Sequence, residues 1–413
     1  MKRCKGTAPF CPSYGWLKCI LTRFAESTRL LLLTLILALS LGLPALGQPD
    51  TPELRQAIER IDTMTALELA KENIGSVTIG VVSGAELVWT KSYGFADMEK
   101  KVMATKDSVY RIGSITKQFT ALMLLQLAEK GTVRRSDPVE KYLPEVSQLQ
   151  GRFSGAPPIT LAQLATMTSG LAREPEDLPT YLKGPVSQWE EVMISALPRT
   201  KYDFEPDTRY QYSNIGYAIL GAALSRATGE PFMDYVKERM FDPLGMTHTA
   251  FEPNPQIQKY ITKGYYVTNS GEVDAETPAK QHAGRGYKVP NGAMYTTVGD
   301  LAKFVSFELG EGPESVLSKK ALRENFSRVN SATGNLTSGY GIGFRLSRHG
   351  NLVVYGHGGG VSGYSASALF DRVSKTGIIV LRNVGGKFRV SELATRALAK
   401  VAAAKKKSDA QHD

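Results

Sequence analysis

The chain has 413 residues, 42% hydrophobic and 22% charged, an ordinary globular composition with room for two modest domains or one large one. Of its formal charge of +10, half falls in the first 47 residues, where six lysines and arginines stand against Glu26, and part of the rest sits in Lys405-Lys406-Lys407. That charge does not cluster with aromatic residues as a nucleic-acid stripe would, so it reads as a slightly basic soluble surface and argues against a nucleic-acid partner.

Residues 30–43 are almost unbroken Leu, Ile and Ala, preceded by Lys18, Arg23 and Arg29 and followed by Pro44-Ala45-Leu46-Gly47. A basic flank, a short apolar core and small residues before a cut after Gly47 are the parts of a secretory signal, too short for a comfortable membrane span. The expectation is a leader over 1–47 and a secreted or periplasmic protein. The long basic segment leaves an uncleaved anchor through 30–46 as the alternative, and that anchor is the one route to a membrane. All three cysteines (Cys4, Cys11, Cys19) lie in the leader, so the remainder has no disulfide and no thiol nucleophile. The five histidines (His248, His282, His349, His357, His412) show no ligand spacing, which argues against a metal site, and no cofactor is expected.

Residues 53–73 have helical spacing (Leu54, Ile58, Ile61, Leu67), and 76–83 and 86–94 read as two strands joined at Gly84. A short strand over 108–112 leads into Gly113-Ser114-Ile115-Thr116-Lys117. Next comes a helix over 118–130, with apolar residues at Phe119, Leu122, Met123 and Leu127, ended by Gly131. If Ser114 occupies the first turn, Lys117 shares its face one turn on. A serine hydroxyl becomes nucleophilic when a neighbour takes its proton, and a partly desolvated amine does that. The helix start adds unpaired N–H groups where an oxyanion would form. Ser114 is the one serine with a lysine three residues on, although alone the tetrad also reads as a helix cap and an exposed lysine.

From about 131 to 299, proline and turn residues separate helical pieces over 160–168, 187–196, 215–228 and 231–240, an all-helical and loop insert. Strands return over 340–346, 352–355, 365–370 and 377–382, and a helix over 390–403 precedes a basic, flexible tail over 405–413. This order suggests one domain over 48–404 around a mostly antiparallel sheet. Its antiparallel sheet is built from both ends (about 50–130 and 300–404), flanked by helices, with the helical lobe inserted.

Tyr212-Ser213-Asn214 stands just before the 215–228 helix. A nearby ammonium acidifies a phenol, so Tyr212 beside Lys117 could shuttle protons, and Asn214 could hold Lys117 or a substrate carbonyl. The competing reading makes Asn214 a helix cap and Tyr212 a packed boundary residue. His357-Gly358-Gly359-Gly360 follows the strand 352–355. Glycines there mark either a substrate lying close along the strand or a bulge.

Ser-x-x-Lys, Tyr-x-Asn and His-x-Gly, in that order, resemble the three signatures of the class C β-lactamase-like serine hydrolases. These include D-Ala-D-Ala carboxypeptidases, class C β-lactamases and related esterases. The similarity runs through 110–132, 159–171, 212–229, 241–247, 291–304 and 340–363. The resemblance implies that Ser114 is acylated, Lys117 takes its proton, and Tyr212 is general base or acid. It makes Asn214 a partner of Lys117 and substrate, and places the oxyanion between the N–H groups of Ser114 and Gly360. His357 and Gly359 would line the substrate strand, with His357 where lactamases carry the lysine of Lys-Thr-Gly. The implied fold is an α/β sandwich around an antiparallel sheet with a helical lobe, making 48–404 a catalytic domain, and the implied substrate is a small ester, a peptide or a β-lactam. The rival is a catalytically inactive receptor or scaffold binding cell-wall peptides.

Two departures bear on substrate. Met167 replaces a common histidine, removing a hydrogen bond, and Gly358 replaces a hydroxyl residue. A free histidine is only about a tenth charged at pH 7.5, so esters should outrun penicillins, and activity on carboxylate substrates should improve as pH falls toward 6. Lys375-Thr376-Gly377, which spells the lactamase triplet, reads as a hairpin turn. The Gly-x-Gly-x-x-Gly over 358–363 lacks the helix and acid of a dinucleotide site.

Overall fold

The computed structural model describes residues 51–268, 270–281, 284–327, 330–331, 337–385 and 389–410. The leader expected over 1–47, His282 and His412 lie outside them. Five helices of eleven or more residues occur among the described residues: α1 (Pro52–Ala70), α2 (Thr116–Glu129), α3 (Asn214–Thr228), α4 (Val298–Glu308) and α5 (Val390–Asp409). The strands are β1 (Ser76–Ser83), β2 (Glu86–Asp97), β3 (Val102–Met103), β4 (Tyr110–Arg111), β5 (Tyr265–Val267), β6 (Val273–Asp274), β7 (Tyr295–Thr296), β8 (Asn330–Ser331), β9 (Ser338–Tyr340), β10 (Arg345–His349), β11 (Leu352–Val361), β12 (Tyr364–Asp371), β13 (Thr376–Arg382) and β14 (Val384–Gly385).

Nine strands form one antiparallel sheet in the order β3-β2-β1-β13-β12-β11-β10-β9-β8. The two ends of the chain meet in its middle, where β1 pairs with β13 from Val77↔Arg382 to Ser83↔Thr376. Every residue of β13 is buried, as a central strand covered on both faces requires. Because side chains alternate, Ile378 and Val380 pack with α1 and α5 on one face. Ile379 and Leu381 point into the larger core shared with α2, α3 and α4.

Four details depart from the sequence expectations. The run 340–346 is broken into β9 and β10, because Gly343 sits at φ +85° and Gly341 N–H bonds Phe344 O (2.9 Å) in a tight turn. β11 runs on to Val361, and its register with β12 is unbroken from Tyr355↔Phe370 to Val361↔Tyr364, so the glycines form regular strand and no bulge. The 131–299 insert is not all helix: β5 pairs with β6 and β14, and β7 with β4. Strands of two or three residues are too short to show an alternating pattern. Finally, α5 extends to Asp409 with Ala404 and Ser408 buried, so 405–409 belong to a packed helix and not to a solvated tail. Alanine and lysine favour helix, and nothing in 404–409 interrupts it.

Candidate active site

β4, held by β7, delivers the chain into a single 3₁₀ turn, Gly113–Ile115, and α2 follows from Thr116. Ser114 therefore sits just ahead of the α-helix and not inside its first turn. Gly113 has φ +49°, and a Cβ there would lie 2.7 Å from Gly360 O; a Cβ on Gly359 would lie 1.8 Å from Ile112 O. The serine turn and β11 thus meet backbone to backbone, a contact that only glycine permits at these two positions. A Cβ on Gly360 would meet nothing within 4 Å, and Gly360 is exposed beside Ser114.

Lys117 is fully buried. Its Nζ donates to Asn214 Oδ1 at 2.7 Å and to Asn291 O at 2.9 Å, and lies 3.3 Å from Ser114 Oγ. Burial, then the nearby Lys288, holds its pKa well below the ordinary lysine value, with Glu174 opposing. A neutral amine has two N–H groups and one lone pair. Two oxygens stand ready for the N–H groups, which leaves the lone pair for the Ser114 hydroxyl.

Asn214 is not the helix cap. Ser213 caps α3, its Oγ accepting from Gly216 N–H at 3.0 Å, which leaves Asn214 to bridge. Its Nδ2 donates to Glu174 Oε1 at 2.6 Å, and its backbone oxygen accepts from Asn291 Nδ2 at 2.9 Å. Ser213 N–H in turn meets Met167 Sδ at 3.2 Å, so the thioether takes up a hydrogen bond at the position expected to have lost one.

Tyr212 presents its ring to the Lys117 amine, with Nζ 4.9 Å from the centroid, and to two cations, Arg173 at 5.0 Å and Arg345 at 5.3 Å. Burial pushes its phenol up to about 12, with a hydrogen bond to Ser114 and the two arginines pulling the other way. The expected acidification by Lys117 does not occur, because the amine meets the ring face and is itself held toward neutrality. Tyr212 is a protonated phenol at neutral pH, and so a hydrogen-bond donor in the resting site.

His357 is 1% exposed. Its Nδ1 lies 2.5 Å from Gly358 O, which can only accept, so Nδ1 carries the proton and Nε2 accepts from the Tyr340 hydroxyl at 3.0 Å. Burial, Arg345 and Lys117 bring its pKa down to about 3. It stays neutral at pH 6, which overturns the expected gain on carboxylate substrates there. The positive charge on that side comes from Arg173 and Arg345, which sequence reasoning missed; among the described residues neither is in an ion pair. Glu174, Lys288 and Asn291 were missed as well.

Two cavities meet at Ser114 and Gly360. One, of about 640 Å³, is lined by Asn214, Arg285, Lys288 and Asn291; the other, of about 630 Å³, by Arg173, Tyr212, Arg345 and His357. An acyl group on Ser114 would have room on one side and its leaving group on the other. All the residues singled out from sequence (Ser114, Lys117, Tyr212, Asn214, His357, Gly359, Gly360) converge here. The Lys375-Thr376-Gly377 triplet does not: Lys375 is the φ +51° residue of the β12–β13 turn and pairs with Glu311.

Comparison with known proteins bears on the family and the fold. The model of the beta-lactamase family matches residues 54–403. Beta-lactamase-like protein 2 of Dictyostelium discoideum is 30% identical over 363 residues, covering 85% of this chain and 65% of the relative's length. Among solved structures, the octameric penicillin-binding protein homologue from Pyrococcus abyssi superposes with TM-score 0.71 at 26% identity, over 83% of this chain and 76% of that one. The D-amino acid amidase from Ochrobactrum anthropi, complexed with L-phenylalanine amide, gives TM-score 0.70 at 23% identity, over 86% and 99%, a likeness of fold.

Proposed function

The chain belongs to the beta-lactamase family of serine hydrolases, and from that premise we propose that it cleaves esters or amides through an acyl-enzyme on Ser114. The observation that carries this reading is the buried Lys117, whose Nζ bonds Asn214 and Asn291 and lies 3.3 Å from Ser114 Oγ, so that the neutral amine has its lone pair left for that hydroxyl. As Oγ attacks the carbonyl carbon, its proton passes to the Lys117 amine. The N–H groups of Ser114 and Gly360 receive the oxyanion, and the Tyr212 phenol protonates the departing oxygen or nitrogen. Water then cleaves the acyl ester, losing one proton to the Tyr212 phenolate left by the first half, while Lys117 returns its proton to Ser114 Oγ.

Arg173 and Arg345 beside Tyr212 offer charge-assisted hydrogen bonds to an anionic leaving group, so peptides with a free carboxylate are substrates alongside neutral esters. This replaces the ester preference inferred from His357 alone. The rival reading, a non-catalytic receptor for cell-wall peptides, has no use for a desolvated amine beside a serine. Export through residues 1–47 is part of the proposal, and N-terminal sequencing from the native host should start at or near Gln48.

The test is a fluorophosphonate probe followed by mass analysis, with p-nitrophenyl esters, D-amino-acid amides and peptides, and nitrocefin assayed in parallel. An adduct on Ser114, lost in Ser114→Ala together with all turnover, supports the reading. Turnover in Ser114→Ala above a tenth of wild type would overturn it.

A further inference from the structure

Glu174 lies in the loop after the short helix Leu161–Ala165, in none of the three motifs. It is four-fifths buried and accepts from three donors: Asn214 Nδ2 at 2.6 Å, Lys288 Nζ at 3.0 Å and the Tyr287 hydroxyl. A carboxylate only accepts, so the end of the Asn214 amide that faces it must be the NH₂. The other end, Oδ1, is thereby turned to Lys117. Reversing the amide would set oxygen against carboxylate and NH₂ against amine, losing both bonds. Through Tyr287 and Lys288, Glu174 also grips the segment whose Asn291 supplies the second acceptor to Lys117.

We infer that Glu174 is a positioning residue of this site, orienting Asn214 toward Lys117 and supplying the negative charge against which Lys117 exchanges its proton. The inference rests on the reading of Ser114 and Lys117 given above.

The charges around Lys117 support it. Arg173 faces it from the same loop as Glu174, Lys288 from the segment before Asn291, Arg345 from β10 and the neutral His357 from β11; the rings of Tyr212 and Tyr217 flank it. Glu174 is the carboxylate among the described groups acting on Lys117; the charged others are cations, which favour the neutral amine. Removing Glu174 therefore lowers the pH at which Lys117 becomes a free base, and removing the Lys288 charge raises it.

The test is the rate at which a fluorophosphonate modifies Ser114, measured against pH on the full chain. It reads the base without needing the natural substrate. The wild-type rate should rise along a limb set by Lys117. In Glu174→Gln that limb should move about one unit to lower pH, with a lower plateau as Asn214 loses its anchor. In Lys288→Gln it should move to higher pH. A lowered rate on an unmoved limb in both variants overturns the inference and leaves the serine reading standing. No adduct on wild-type protein overturns both. Should Glu174→Gln fail to fold, Glu174→Asp decides: a lower plateau with the limb near its wild-type pH supports the inference, and a wild-type plateau overturns it.

Discussion

On the Lys117 side of Ser114, structure is made by direct side-chain hydrogen bonds. Lys117 reaches Asn214 and Asn291, Asn214 reaches Glu174, and Glu174 reaches Tyr287 and Lys288. On the Tyr212 side it is made by ring faces and bare backbone: the Tyr212 ring among two arginines and the Lys117 amine, and Gly113 against Gly360. The first arrangement fixes one amine in one place, since each donor there meets a defined acceptor. The second fixes a surface and leaves the phenol's oxygen and two arginines facing a cavity. Base and acid are kept apart in this way, the base locked and the acid presented to whatever leaves.

The sharpest way to separate the two sides is to remove the locked one. Lys117→Met should lower kcat by at least about 1000-fold, the upper range for loss of a general base, while the thermal transition persists. Tyr212→Phe keeps the ring under its cations and loses only the hydroxyl, so it should lower kcat about 100-fold with little change in Tm. If the two variants lost equal activity on a substrate with a good leaving group, the division of roles drawn here would be wrong.

Within the Tyr212 side, the glycines should differ. Gly359→Ala forces a Cβ onto Ile112 O and should destabilise by about 1–3 kcal/mol, moving the serine turn and activity together. Gly360→Ala points into open space and should melt close to wild type. Equal Tm values for the pair would contradict the backbone contact.

A pH-dependent effect concerns His357. Its folded pKa, about 3, lies below the unfolded value near 6.5, so between those pH values the unfolded chain binds more protons. Its contribution to stability is present above about 6.5 and lost as pH falls toward 3. His357→Gln should flatten the fall of Tm between pH 6.5 and 4 relative to wild type, and parallel curves would show that His357 is not held neutral.

Much of this was legible in residue types. The motifs named Ser114, Lys117, Tyr212, Asn214 and His357 because each carries chemistry that its neighbours lack. Alternation and turn residues located β1, β2, β12 and β13. Glu174 and Asn291 were not legible as partners, since each is a single residue outside the three motifs, brought in by contacts 40 and 174 residues apart in sequence. The pKa direction of Tyr212 was missed for a related reason. Spacing can place a lysine near a phenol, but whether the amine meets the oxygen or the ring is decided by packing. Arg345 escaped notice because the expected strand over 340–346 hid the turn that sends β10 back past Tyr212.

The account stands on a neutral Lys117 at working pH, and its titration measures that directly. In protein carrying ¹³Cε-lysine, the resonance missing from Lys117→Met identifies the residue, and its shift is followed from pH 5 to 11. The structure predicts a midpoint well below the ordinary lysine value near 10.4, in step with the rising limb of Ser114 modification. A Lys117 that titrates with the surface lysines would contradict the account.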